Sequence, residues 1–392
     1  MRPFKYDEKL LTWASAAQKQ YLLAIKEHGS IRAAARAVGK NYSTVNGCME
    51  ALTKRAALAG YAPDQDMTHP VPSPFMVKGT STLYDEEGKA KLQWVKTKVD
   101  ESQAIEVVKE FIASLVEGAR GLSPLVAAPK TANADLLATY PFGDPHFGMY
   151  AWAKESGDDF DLETAERLTF GAVDSLVASA PPAGIALLIL LGDVFHANDQ
   201  SNVTPGHKHQ LDVDSRYPKV ILSGISTFRH AILRALEVHP KVIVWLKPGN
   251  HDPQAIYALA FALSAIFENN PRVEIEINPS KFSYLRFGKV LIGSTHGDTV
   301  KHAQLPGIMA ADRPEEWGQA KHRYWYTGHV HNTTVSEFPG VVCESFRTLA
   351  AQDAYAAGHG YRAGRDMRCI VHHKEYGEVA RYRCDISMLE AA

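Results

Sequence analysis

The sequence predicts an α/β protein: a layered α/β body preceded by a small helical head and a short α+β connector. Three observations carry this. From residue 135 onward, apolar runs of strand length alternate with stretches of helical period, as in layered α/β folds. One run, LLILL at 187–191, is continuous rather than alternating, the pattern of a strand covered on both faces. Nearly every such run ends in a glycine beside Asp, Asn or His, the composition of a sharp turn that aims a polar side chain. With 392 residues, 45% of them hydrophobic and 22% charged, the chain has the size and composition of a soluble globular protein of two or more domains.

The head comes first. Residues 13–27 have helical period, Gly29-Ser30 supplies a stop and a new N-cap, and 31–38 forms a second helix. Gly39 to Tyr42 makes a tight turn, and Ser43-Thr44 opens a third helix through Val45, Met49 and Leu52. The spacing of Ala35, Gly39 and Val45 resembles a helix-turn-helix. That resemblance would place Asn41, Tyr42, Ser43, Thr44 and Asn46 in a DNA groove, with Arg32, Arg36, Lys40, Lys54 and Arg55 near phosphates. Charge agrees: residues 1–60 hold ten Lys/Arg and four Asp/Glu, +6, which leaves −8 on the remainder. A basic head suits a polyanion and an acidic body suits cations. A three-helix bundle used for protein contacts is the alternative.

Residues 61–134 form the connector. Residues 60–74 have linker composition, 80–84 and 91–99 flank a turn at Asp85 to Gly88 as a β-hairpin, 102–117 is an amphipathic helix, and 121–134 is a second linker. The body, 135–392, follows. Its strand candidates are 136–140, 185–191, 242–246, 290–293 and 324–326, its helices 164–178, 221–236 and 254–267, and a hairpin of 368–373 and 379–386 closes the chain. Four cysteines without paired spacing suggest reduced thiols. No membrane-length apolar run and no signal-peptide core occur, so a cytoplasmic protein without membrane contact is expected.

The chemistry lies in the loops that end the strands: Gly143-Asp144-Pro145-His146, Gly192-Asp193, Gly249-Asn250-His251-Asp252, Thr295-His296-Gly297-Asp298 and Gly328-His329-Val330-His331. With His196 they take six of the 17 histidines. Any one of these, alone, is an ordinary hydrogen-bonded side chain; together they are a metal-ligand inventory. Oxygen and imidazole donors without thiolate favour Mn²⁺, Zn²⁺, Fe or Ni²⁺ over copper(I) or a structural zinc.

In this order the motifs resemble those of the calcineurin-like metallophosphoesterases, and the GDVFH form of the second is similar to the SbcD-type DNA-repair nuclease branch. The resemblance covers about residues 135–335 and implies a β-sandwich flanked by helices and a pair of divalent ions, Mn²⁺ foremost. It implies that Asp144, His146, Asp193 and His331 hold one ion and that Asp193, Asn250, His296 and His329 hold the other, with Asp193 bridging. It further implies that His251 assists the leaving oxygen and that His196 is a catalytic helper, while Asp252 is a candidate to orient His251. Two such cations would jointly hold a hydroxide and the phosphoryl oxygens.

The expected function is a metal-dependent DNA nuclease. The alternatives are a nucleotide phosphomonoesterase, a cyclic-nucleotide phosphodiesterase, or a non-enzymatic DNA-binding regulator. DNA is the expected partner, a homo-oligomer is left open, and the lack of a long helical insertion argues against an ATPase partner. A helix-turn-helix on such a body resembles phage-encoded proteins, whose place is the host cytoplasm. His207 and His209 suit a solvated loop, His372 and His373 alternate in a strand, and 345–368, with Arg347, Tyr355, His359, Tyr361, Arg362 and Arg365, suits a phosphate-gripping, base-stacking rim or an ordinary surface loop.

Overall fold

The computed structural model describes residues 4, 6–71, 75–99 and 120–390. The amphipathic helix expected at 102–117 lies outside them. The chain divides into two compact units, Met1–Phe111 and Ile112–Ala392.

In the first unit a 3₁₀ turn, Glu8–Trp13, precedes helices α1 (Ala16–His28), α2 (Ile31–Ala37) and α3 (Tyr42–Leu58). Ser15 and Gln18 cap α1 reciprocally, and the Ser30 hydroxyl accepts from Ala33 N at 3.2 Å to start α2. Gly39, at φ 65°, supplies the left-handed turn that reverses the chain into α3. Leu22, Ala34, Val45, Met49 and Leu52 are fully buried between the helices. The first residues of the stretch with linker composition join this core: Tyr61 is buried, stacks on Trp13 at 5.2 Å and donates to Asp7 Oδ2. Composition missed it because one aromatic anchor outweighs the surrounding Pro, Ala and Asp. Strands β1 (Phe75–Tyr84) and β2 (Ala90–Val99) form the expected antiparallel hairpin, starting earlier than expected.

The second unit is an α/β sandwich of two sheets. Strands β3 (Asn133–Phe142), β4 (Ala183–Leu190), β5 (Lys241–Leu246) and β6 (Val273–Glu276) are parallel. Between them run α4 (Leu162–Ser179), α5 (Tyr217–Val238) and α6 (Ala255–Ile266). The second sheet contains β7 (Ser283–Phe287), β8 (Val290–Ser294), β9 (His322–Thr327), β10 (Thr334–Phe338) and β11 (Val341–Ser345), in the order β10-β11-β9-β8-β7. Helices α7 (Leu305–Asp312) and α8 (Pro314–Gln319) lie between β8 and β9 in sequence, and α9 (Ala354–Gly358) follows β11. Strands β12 (Asp366–His373) and β13 (Gly377–Asp385) complete the first sheet as β13-β12-β3-β4-β5-β6.

Side-chain parity builds the layers. Ala186, Leu188 and Leu190 of β4, with Val242 and Val244 of β5, pack on α4, α5 and α6. The alternate residues Leu187, Ile189, Ile243 and Trp245 face Val290, Ile292 and Tyr326 of the other sheet. Leu291, Trp325 and Cys343 turn outward onto Leu305 and Met309 of α7. This is why LLILL carries no polar alternation: β4 is covered on both faces. Truncating Leu187 or Ile189 to Ala would cost about 2–5 kcal/mol.

Among the described residues, no helix is long and apolar enough to cross a membrane. The parallel strands leave their carboxyl ends on one edge, where open α/β sheets present their loops to ligands.

Candidate metal centre

Five loops meet there, three following β3, β4 and β5 of the first sheet and two following β8 and β9 of the second. Those after β3 and β4 pair with each other: His146 N donates to Asp193 O at 3.0 Å, Phe147 N to Val194 O at 2.8 Å, and His196 N to Phe147 O at 3.0 Å. Two glycines make room for carboxylates. A Cβ on Gly249 would overlap the Asp193 carboxylate, and one on Gly328 would stand 2.6 Å from Asp144 Oδ2.

The backbone itself is unusual here. Among the described residues eight non-glycine positions have positive φ, and five of them are Asp144 (44°), His146 (48°), Asp193 (46°), His329 (68°) and His331 (51°). Each such residue costs about 1–3 kcal/mol and persists where its surroundings over-determine it. The sandwich thus holds strained turns that aim these side chains inward.

The side chains converge in three groups with ligand spacing: Asp144, His146 and His331; Asp193, His296 and His329; and His146, His196 and His251. His146 Nε2 is 3.1 Å from His331 Nε2, which is 3.8 Å from Asp144 Oδ1. His296 Nε2 is 3.3 Å from Asp193 Oδ2 and 3.1 Å from Asn250 Oδ1, and the His296 and His329 ring centres are 5.1 Å apart. The Leu191 carbonyl lies 2.7 Å from His296 Nδ1, and the His196 carbonyl 2.8 Å from His251 Nδ1. A carbonyl only accepts, so both Nδ1 atoms carry hydrogen and each Nε2 is left for the site.

Electrostatics follow from burial. Burial, with Asp193 nearby, pushes the Asp144 carboxyl up to about 8. Burial opposes ionisation of Asp193 too, but His296 prevails and holds that carboxyl well below the usual range. His296 is correspondingly raised to about 10, Asp193 outweighing burial. Burial, with neighbouring imidazoles, holds His146 well below its ordinary value, His196 near 3 and His331 near 4, and it lowers His329. The neutral imidazoles of His146, His329 and His331 and the ionised Asp193 are donors suited to a divalent cation, whose binding would take the place of the proton on His296.

Two expectations need correction. Asp252 does not orient the His251 ring, which is held by the His196 carbonyl. Fully buried, Asp252 instead accepts the backbone N–H groups of Gly249 (3.0 Å), Asp193 (3.2 Å) and Phe195 (3.1 Å), tying two ligand loops together. His196 is buried with its Nδ1 3.2 Å from His146 Nδ1 and does not line the pocket; it braces His146 and His251 rather than facing a substrate. Two residues escaped the sequence reading. Thr348 donates to the Asp144 carbonyl at 2.6 Å, and Asn198 Oδ1 accepts Gln254 N and Ala255 N at the start of α6. The one signal at Thr348 was a short polar side chain just past the end of β11, and Asn198, eight residues beyond β4, gave none.

Asp193, Asn250, His251, His146, His329 and His331 line a pocket of about 690 Å³ that extends to Tyr355, Tyr361, Arg362 and Arg365. Arg347, expected at the rim, turns away to pair with the buried Asp366 at 2.7 Å. His207 and His209 are exposed, whereas His372 is buried between Thr139 and the Tyr326 hydroxyl. In the N-terminal unit Asn41, Tyr42, Ser43 and Thr44 are exposed around the start of α3, and Arg32, Arg36, Lys40 and Lys54 are exposed as well. The Arg32 guanidinium lies 5.5 Å over the Tyr42 ring, and Asn46 donates to Glu50 at 2.8 Å. Arg55, also exposed, donates through Nη1 to the Trp13 carbonyl (2.9 Å) and Gln18 Oε1 (3.1 Å).

No protein-family model matches the chain, and no curated protein matches it in sequence. Solved structures do match. Wild-type Vps29 complexed with Zn²⁺ from Entamoeba histolytica is 12% identical, with 64% of this chain and 98% of that one covered and a TM-score of 0.26. A dimetal phosphatase from Danio rerio is 9% identical over 64% and 98% of the two chains, TM-score 0.31. A 5'-nucleotidase from Candida albicans is 9% identical over 68% and 55%, TM-score 0.32. So distant a likeness assigns neither family nor activity.

Proposed function

We propose that this chain is a two-metal phosphodiesterase that acts on DNA. The observation that carries the reading is the seven-residue donor set, Asp144, His146, Asp193, Asn250, His296, His329 and His331, five of them on left-handed backbone in loops contributed by both sheets. The donors fit a metal pair: Asp144, His146, Asp193 and His331 would hold one ion, and Asp193, Asn250, His296 and His329 the other. Mn²⁺ suits this oxygen and imidazole mixture. When bound, two such cations supply an activated water and neutralise phosphoryl charge. Asp193 turns Oδ2 toward His296 Nε2, and its Oδ1 accepts His251 N at 2.7 Å. The His251 Nε2, left open by the Nδ1 bond to His196 O, is available in the pocket to take up a proton from water and hand it to a departing oxygen. His196 keeps that ring and the His146 ring in place.

DNA as substrate is supported by the basic N-terminal unit, whose turn and third helix expose Asn41 to Thr44 beside Arg36 and Lys40. The test is a panel of single-stranded, blunt duplex and closed circular DNA with mononucleotides, each with Mn²⁺, for the native chain and Asp193→Asn. Cleavage of DNA by the native chain alone is expected. Turnover confined to mononucleotides would replace the reading with a nucleotide phosphoesterase.

A further inference from the structure

Beyond the ligand loops the pocket is walled by the connection between β11 and β12. Tyr355 and Tyr361 line it yet are 57% and 59% exposed, so neither serves the core. With His359 they form a series of rings: Tyr355 to His359 centres are 4.1 Å apart at 33°, and His359 to Tyr361 centres 6.0 Å apart at 26°. The series is fixed by its own backbone. Asp353 caps α9 through Ala356 N at 2.8 Å, His359 Nδ1 donates to Tyr355 O at 2.8 Å, and Tyr361 N donates to Ala356 O at 3.1 Å. Arg362 bonds Gln352 Oε1 at 3.2 Å and the Tyr361 carbonyl at 2.8 Å, and no carboxylate pairs with it among the described residues.

A pocket of 690 Å³ is the size that takes a ligand of several hundred daltons, well beyond a phosphoryl group. Ordered, exposed ring faces beside an arginine are the chemistry that receives unpaired bases and their phosphates. We propose that Tyr355 and Tyr361 form a nucleobase-stacking subsite, which holds an unpaired base next to the phosphodiester at the metal centre, with Arg362 on the adjoining phosphate. The subsite selects single-stranded ends or loops, because the faces of a paired base are covered by its neighbours. It rests on the phosphodiesterase reading of the centre.

Methyl p-nitrophenyl phosphate and thymidine 5′-p-nitrophenyl phosphate share a leaving group, and only the second carries a base. With Mn²⁺ the native chain is expected to favour the thymidine ester in kcat/KM. Tyr355→Ala and Tyr361→Ala should each lose about tenfold on that ester, leave the methyl ester unchanged, and recover in the Phe variants. In EDTA the same Ala variants of the full chain should bind fluorescent oligothymidylate more weakly than the native chain does, with duplex binding unaltered. A native chain with no preference between the esters, or equal losses on both, overturns the subsite and leaves the phosphodiesterase standing. Failure of the native chain to hydrolyse either ester removes the reading beneath it, and the subsite with it.

Discussion

His331 offers a direct probe of the strained backbone that aims the ligands. It sits at φ 51°, where an L residue pays about 1–2 kcal/mol because its Cβ crowds the following carbonyl. His331→Ala and His331→Gly both delete the imidazole and its 3.1 Å approach to His146, so the ring's absence affects the two variants equally. They differ in the Cβ. Alanine keeps the left-handed penalty, whereas glycine escapes it but adds about 0.5–1 kcal/mol of unfolded-chain entropy. The balance makes the Gly variant the more stable by up to about 1.5 kcal/mol, the reverse of the order at an ordinary φ. Urea denaturation of the two variants in EDTA, followed by tryptophan fluorescence, reads this from the midpoints at equal slope. An Ala variant more stable than the Gly variant would refute the left-handed turn and the aiming argument built on it.

His251→Ala should keep both metals and lose about 10²–10⁴-fold in turnover; loss of metal by calorimetric titration would contradict its placement as a proton carrier. His239, fully buried against the Tyr140 hydroxyl, is held by burial at about 4, against about 6.5 in the unfolded chain. Between those values the unfolded chain takes up a proton that the folded chain refuses, so stability falls as pH drops from about 6.5 to about 4, by on the order of 3 kcal/mol. Denaturation of the native chain and His239→Gln across that range should give diverging slopes, and parallel slopes would exclude this histidine as a source. Arg36→Ala and Lys40→Ala should each reduce the salt dependence of DNA binding by about one phosphate's worth of counterion release while hydrolysis of a small diester is unchanged; an unaltered salt slope would take α2 and its turn away from the phosphates.

What the sequence disclosed, and what it hid, follows from where side chains are buried. Strands β4 and β5 were legible because they are covered on both faces and carry uninterrupted apolar runs, whereas β6, a four-residue edge strand with no buried position, was not. Three strands of the second sheet were hidden: β7 and β10 are five-residue edge strands with exposed positions, Thr334–Phe338 has no buried residue to betray it, and β11, though buried, is a short run interrupted by Glu344. Ligands were legible because metal chemistry restricts residue type, and glycine marks the turns that carry them. The support beneath them was not. Asp252 stood beside His251 in sequence, yet which backbone N–H groups it gathers depends on how the loop after β4 folds back over the loop after β5. Thr348 and Asn198 were invisible for the same reason, each binding a backbone group far away in sequence. Tyr61 shows the reverse error, an anchor hidden in a stretch that composition marks as open chain.

The proposed chemistry requires Asp193 to be shared between two cations, and electron paramagnetic resonance of the Mn²⁺-loaded chain addresses that directly. Two Mn²⁺ ions per chain, coupled through one carboxylate, are expected to give an exchange-coupled spectrum that disappears in Asp193→Asn. A single bound ion, or two ions with independent uncoupled signals, would contradict it.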